Sequence, residues 1–291
     1  MLRWLTDPLT FDFMRLALVE VIVMGSVAGF LGTYVVIRGL AFVGDAIAHS
    51  VFPGVVIAFL LNASLFAGGA AFGVFTALAI SSLALTRRIR EDTAIGIVFA
   101  GAFALGIVLI STSPGYTRDL ASFLFGEVLA VTTTDIILSL CVGGAALVLA
   151  IALQRVLLMS SFDREMALAV GLPVFWLDTL LLLMITLTIV ISLRAVGNVL
   201  VVAMFVTPAA TARLLVDEVG RMMLLSALIG AAAGVLGLYI SWYSDLAAGG
   251  MIVLTATAMF LTALVLSPKS GLLSSVLRRQ PGSVSEASPA L

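Results

Sequence analysis

Gly44-Asp45-Ala46-Ile47-Ala48-His49-Ser50-Val51-Phe52-Pro53-Gly54 sits inside the apolar run 41–61. It places a carboxylate and the chain's single histidine in a segment otherwise suited to a bilayer interior. Residues four apart on a helix share a face, with Cβ atoms roughly 5–6 Å apart, so Asp45 and His49 can reach one ion. An ionisable side chain near the bilayer centre costs about 2.5–3.5 kcal/mol on insertion scales, and such groups mark pathways and sites. Imidazole suits zinc and its transition-metal neighbours, while carboxylate also suits manganese. Pro53 has no N–H to bond the carbonyl of His49, four residues earlier. That carbonyl must then find another partner at membrane depth. Residue chemistry alone leaves two readings of the pair, a metal path or a hydrogen-bonded packing device.

Working outward, similar apolar runs recur along the chain. Of its 291 residues 62% are hydrophobic and only 11% charged, against about 25% charged in an ordinary soluble domain. A run of about 20 apolar residues crosses a hydrocarbon core of roughly 30 Å. Such runs cover 13–37, 41–61, 65–85, 94–111, 135–154, 175–194, 197–215, 221–243 and 247–266. The fold class is therefore all-α, a polytopic membrane protein of eight or nine transmembrane helices, with residues 1–268 as the transmembrane domain. The Ser- and Pro-containing tail, 269–291, lacks apolar periodicity and reads as disordered. The piece 119–131 is too short to span and reads as interfacial or re-entrant. No cleavable secretory signal is evident.

Charge placement sets the orientation. With alternating crossings and the loop after the third span inside, eleven of the fifteen Lys and Arg residues lie on the cytoplasmic side. Only Arg3, Arg15, Arg118 and Arg194 lie outside. The C-terminus is then cytoplasmic. Gly- and Ala-rich stretches such as 68–73 and 230–234 read as sites of close helix packing.

Two further stretches carry chemistry. The polar break 155–173 holds a short helical piece from Asp163 to Val170, closed by Gly171, on the cytoplasmic side. In the run 197–215, Pro208 breaks one backbone bond to Met204, and Thr207 and Thr211 stand near to re-satisfy it. Broken helices often line substrate paths, so Asn198, Thr207, Pro208 and Thr211 are pathway or kink candidates. Glu20, Glu127 and Asp245 also fall in or beside apolar segments without an assigned role.

Absences narrow the classes. There is no G-x-x-x-x-G-K-[ST] phosphate loop, so the chain does not itself hydrolyse ATP, and no H-E-x-x-H zinc-protease motif. No aromatic-interleaved basic patch suggests nucleic acid. The one cysteine, Cys141, permits no internal disulfide and no thiolate cluster.

Arg38-Gly-Leu-Ala-Phe-Val-Gly-Asp-Ala-Ile-Ala-His49-Ser-Val-Phe-Pro-Gly54 closely resembles the second-span signature of the manganese/zinc family of ABC transporter permeases. Collinear blocks extend the resemblance: Glu91 to Phe99, Leu124 to Ala130, Ser161 to Asp163 with Ala167 to Gly171, Val196 to Ala203, and Thr207 to Ala212. Together they cover about residues 15–268. The resemblance implies a fold similar to vitamin B12 and siderophore importer permeases. It also implies a homodimer, a separate cytoplasmic ATP-binding subunit, and an extracytoplasmic metal-binding protein that delivers the ion. The residues matching Asp45 and His49 are implicated in the metal path. The segment holding Asp163, Arg164, Glu165, Ala167 and Gly171 looks like the coupling helix that docks on the ATPase.

The implied function is ATP-driven import of a divalent metal across a bacterial cell membrane, with no permanently bound cofactor. The proline matching Pro53 is more typical of manganese than of zinc permeases, so Mn²⁺ is favoured, Zn²⁺ next and Fe²⁺ third. The competing class is a gradient-driven secondary cation carrier using the same pair.

Overall fold

A computed structural model describes residues 6–85, 89–112 and 128–267, without the side chains of 194–196, 198 and 199. The reading of 119–127 as part of an interfacial element, Glu127, and the tail 269–291 lie outside the described residues. Val128–Ala130 is a single 3-10 turn.

Twelve α-helices follow in order among the described residues. They are α1 (Asp12–Ile37), α2 (Val43–Ser50), α3 (Phe52–Leu60), α4 (Leu65–Ala84), α5 (Glu91–Ser111), α6 (Thr133–Ala152), α7 (Gln154–Phe162), α8 (Arg164–Ala169), α9 (Val174–Val196), α10 (Asn198–Leu215), α11 (Val219–Ser244) and α12 (Ala248–Leu266). Counting α2 with α3 as one, eight are long and apolar enough to cross a membrane; the apolar stretch 200–215 of α10 falls short of that length. The expectation of eight or nine spans therefore holds.

Local chemistry starts and stops these helices. Thr132 and Asp135 form a reciprocal capping box at the start of α6. The Ser64 hydroxyl accepts from Ala67 N at the start of α4. Each satisfies backbone donors that a helix end leaves open. Gly39, at φ 71°, turns the chain between α1 and α2 in a conformation that side chains other than glycine resist.

The sequence break at 155–173 is more helical than its polarity suggests. Its first half is α7, and only Asp163 and the residues 170–173 interrupt the path through α8 into α9. Helix α7 buries Leu157 and Ser160 and packs on α1, α6, α8 and α9.

The bundle is organised around α1, which packs against α6, α10 and α11, while α9 packs on α4 and α6. Tyr34, Ile47, Leu181, Ile189 and Phe205 are among the fully buried side chains that join these layers. Helices α5 and α12 are mostly exposed in the single chain, and their outer faces carry Ile97, Leu105, Val108, Leu254 and Leu261. Apolar residues on such faces suit lipid or another apolar surface.

Between helices in lipid there is no hydrophobic drive, so close backbone approach supplies the packing. Gly230 meets Gly25, and a Cβ on Gly29 would lie 2.5 Å from the Ser226 carbonyl. A Cβ on Gly32 would collide with the Phe205 carbonyl of α10. Gly144 has nothing within 4 Å of such an atom. Overpacking costs about 1–3 kcal/mol. Gly32→Val should therefore lower the melting temperature of the purified permease in detergent, whereas Gly144→Ala should leave it unchanged or raise it. Equal melting temperatures for wild type and Gly32→Val would contradict the packing described.

Candidate functional site

Asp45 is the third residue of α2 and His49 the seventh. The shared face expected from their spacing is observed: His49 Nε2 lies 3.4 Å from Asp45 Oδ1. The Asp45 side chain is 46% exposed and that of His49 23%. The pair thus opens out of the single chain instead of pointing into its core. Among the described residues no third His, Cys, Asp or Glu joins them in a cluster able to hold an ion.

One wall of this opening is aromatic. The His49 ring lies edge-on to Phe103 of α5, with centroids 5.1 Å apart, and 5.8 Å from the Phe99 ring. Phe103 also meets Phe52. These rings wall one side of the imidazole, and an apolar wall lowers the local dielectric.

The helix is interrupted just beyond the pair. Helix α2 ends at Ser50 and α3 starts at Phe52. Without an N–H on Pro53 the ladder steps through a tighter bond, Gly54 N to Val51 O at 3.0 Å, before resuming. The seam expected from Pro53 is therefore present, one turn from His49. At 1.5 Å per residue, His49 stands about 9 Å along its helix from the Arg38 end.

The remaining candidates fall elsewhere. Pro208 lies inside α10 without ending it. Thr211 donates to the Thr207 carbonyl at 2.7 Å, so its hydroxyl does not serve the Met204 carbonyl that Pro208 leaves open. Helix α10 reaches α2 where Gly44 faces Val202, six residues before Pro208. The Asn198 side chain is outside the described residues. Glu20 is fully buried and accepts from the Ser139 hydroxyl of α6 at 2.7 Å, so it belongs to the α1–α6 contact. Asp245 closes α11 in the left-handed conformation, φ 53°.

The short helix predicted from Asp163 to Val170 is α8. Asp163 is its N-cap, accepting from Met166 N at 2.8 Å, and Gly171 follows at φ 83°. Ala167 is buried, while Met166, Leu168 and Val170 are exposed. An exposed apolar face on a capped surface helix is suited to a partner.

Sequence reasoning missed an ion cluster behind this helix. Arg38 Nη1 lies 2.8 Å from Asp178 Oδ1 and 3.7 Å from Glu91 Oε1. Arg164 Nη1 is 2.7 Å from Asp178 Oδ2. Arg38 also donates to the Ser161 hydroxyl at 2.9 Å and the Ser160 hydroxyl at 3.1 Å. The Arg38 and Asp178 side chains are each 6% exposed. Two cations face two anions, so the group is neutral as a whole. The available signal was Asp178, an isolated charge near the start of the apolar run 175–194.

Comparison with known proteins adds an independent line. The model of a family described as the ABC 3 transport family matches residues 10–267. The manganese transport system membrane protein MntC of Halalkalibacterium halodurans is 45% identical over 266 residues, covering 91% of this chain and 91% of that protein. A probable iron transport system membrane protein of Haemophilus influenzae is 36% identical over 274 residues, covering 94% and 97%. Among solved structures, PsaBC from Streptococcus pneumoniae in complex with Fab superposes with a TM-score of 0.81 at 40% identity, covering 94% of this chain and 99% of that one.

Proposed function

The chain belongs to the ABC 3 transport family, and from that membership we propose that it is the membrane-spanning subunit of an ATP-driven manganese importer. What carries this reading is the Asp45–His49 pair, half-open on a helix face beside an aromatic wall, in a chain similar to a manganese transport membrane protein over 91% of its length. The chain is a transport subunit and not an enzyme; a separate cytoplasmic ATP-binding subunit supplies hydrolysis. The protein is multi-pass in a bacterial cell membrane, with its C-terminus cytoplasmic by the distribution of Lys and Arg.

Manganese favours octahedral coordination dominated by oxygen, and one chain offers one carboxylate and one imidazole here. A homodimer that juxtaposes the two open faces would supply two of each, with water completing the shell. A closed two-fold assembly repeats each residue symmetrically, so both copies contribute equally. Binding is transient because a transport site must release its ion as readily as it takes it. Alternating access then exposes the pair first to an extracytoplasmic metal-binding protein and afterwards to the cytoplasm. The exposed face of α8 is the docking element for the ATP-binding subunit.

Metal preference follows from ligand chemistry. The carboxylates favour Mn²⁺, the imidazoles admit Zn²⁺, and Fe²⁺ ranks third. In a strain lacking its own manganese importers, the complete transporter should take up labelled Mn²⁺. Excess unlabelled Mn²⁺ should compete best, Zn²⁺ next and Fe²⁺ least. Stronger competition by Zn²⁺ than by Mn²⁺ would overturn the metal assignment.

A further inference from the structure

The cluster of Arg38, Asp178, Arg164 and Glu91 joins four parts of the chain at one buried point. Arg38 caps the end of α1, Glu91 opens α5, Asp178 sits in the second turn of α9, and Arg164 opens α8. Ser160 and Ser161 at the end of α7 bind the same guanidinium. Each carboxylate oxygen of Asp178 faces a different arginine, Oδ1 toward Arg38 and Oδ2 toward Arg164. The aspartate therefore bridges the surface helix to the interior turn.

Both walls of the Asp45–His49 opening start from this point. Arg38 stands seven residues before Asp45, separated from it by the Gly39 turn and the first residues of α2. Glu91 stands eight residues before Phe99 and twelve before Phe103, the rings that face His49. A shift of α8 is thus linked, through Arg164 and Asp178, to the roots of α2 and α5 together. A planar guanidinium with five fixed donors holds such a geometry more rigidly than an ammonium would. With 6% exposure at Arg38 and Asp178, water has little access to replace a lost partner.

We propose that Asp178, held between Arg38 and Arg164, is a positioning residue that transmits movement of α8 to the two helices walling the Asp45–His49 pair. This rests on the importer reading above and adds to it the residues through which hydrolysis is converted into movement of the site. It concerns neither ion binding nor docking of the ATP-binding subunit. Removing the bridge should therefore lower the amount of metal moved per ATP while leaving the complex assembled.

The test uses the complete transporter in liposomes, with Mn²⁺ uptake and ATP hydrolysis measured on the same preparation. Asp178→Asn keeps the shape and removes the charge. It should retain the ATP-binding subunit on purification and continue to hydrolyse ATP. Its Mn²⁺ uptake per ATP should fall between a few-fold and about 30-fold, the range typical of altered coupling between sites. Asp178→Glu should recover a substantial part of that loss. Glu91→Gln, which lies outside α8 and removes the anion that ties Arg38 to the root of α5, should reproduce the defect and decides the matter if Asp178→Asn fails to accumulate. Unchanged uptake per ATP in both variants would overturn the proposal. Loss of the ATP-binding subunit from Asp178→Asn would also overturn it, by making this a docking contact. Absence of ATP-driven Mn²⁺ uptake by the wild-type transporter would instead overturn the importer reading itself, an outcome distinct from both.

Discussion

Alanine at Asp45 or at His49 should reduce manganese accumulation to the background of a strain without the transporter, with the complex still assembled in the membrane. The expectation follows from ligand count. One chain presents two ligands, and in a symmetric dimer a single substitution removes one from each copy. Altering a partner that merely orients a metal ligand already costs about 10–100-fold, so loss of two direct ligands should cost about 100-fold or more in uptake at limiting metal. Neither change should unfold the chain, because the Asp45 side chain is 46% exposed and that of His49 23%. Assembly is read from co-purification of the ATP-binding subunit. Full accumulation in both variants would remove the pair from the ion path.

Disabling the phosphate-loop lysine of the ATP-binding subunit should have an effect of the same size. This chain has no phosphate loop of its own, and uptake against a gradient needs an energy source. In an ABC importer that source is the partner's hydrolysis, so uptake should fall to background. A secondary carrier would be indifferent to the lysine and would instead stop when the proton or sodium gradient is collapsed. A companion variant addresses docking. Asp163→Asn with Glu165→Gln removes two negative charges from α8 while leaving an oxygen at the N-cap position that accepts from Met166 N. It should weaken co-purification with the ATP-binding subunit; unchanged co-purification would count against docking through these charges.

Much of this was legible in the sequence because the relevant interactions are local. Long apolar runs fixed the spans, since each needs only its own backbone hydrogen bonds and a bilayer. Asp45 and His49 share a face because a helix puts them there, and the seam at Val51 follows from Pro53 alone. The cap of α8 is likewise written in Asp163 and Gly171. The Arg38 cluster was not legible, because its members are separated by up to 140 residues and meet only in the folded chain. The aromatic wall of Phe99 and Phe103 against His49 likewise exists only once α5 is laid against α2. The hydroxyl of Thr211 was assigned to the wrong carbonyl for a related reason. Its own i−4 neighbour, Thr207, is nearer than the group opened by Pro208. Helix α7 escaped notice because Gln154–Phe162 is too short to span and buries only Leu157 among its apolar residues.

The central claim, that the Asp45–His49 pair carries manganese under the drive of ATP, is tested most directly in liposomes holding the purified permease with its ATP-binding subunit and metal-binding protein. Initial rates of labelled Mn²⁺ transport are compared with and without ATP, for wild type and for His49→Ala. The wild type should transport Mn²⁺ in an ATP-dependent way, and His49→Ala should show no transport above the ATP-free rate. Equal transport with and without ATP, or a wild-type rate from His49→Ala, would contradict it.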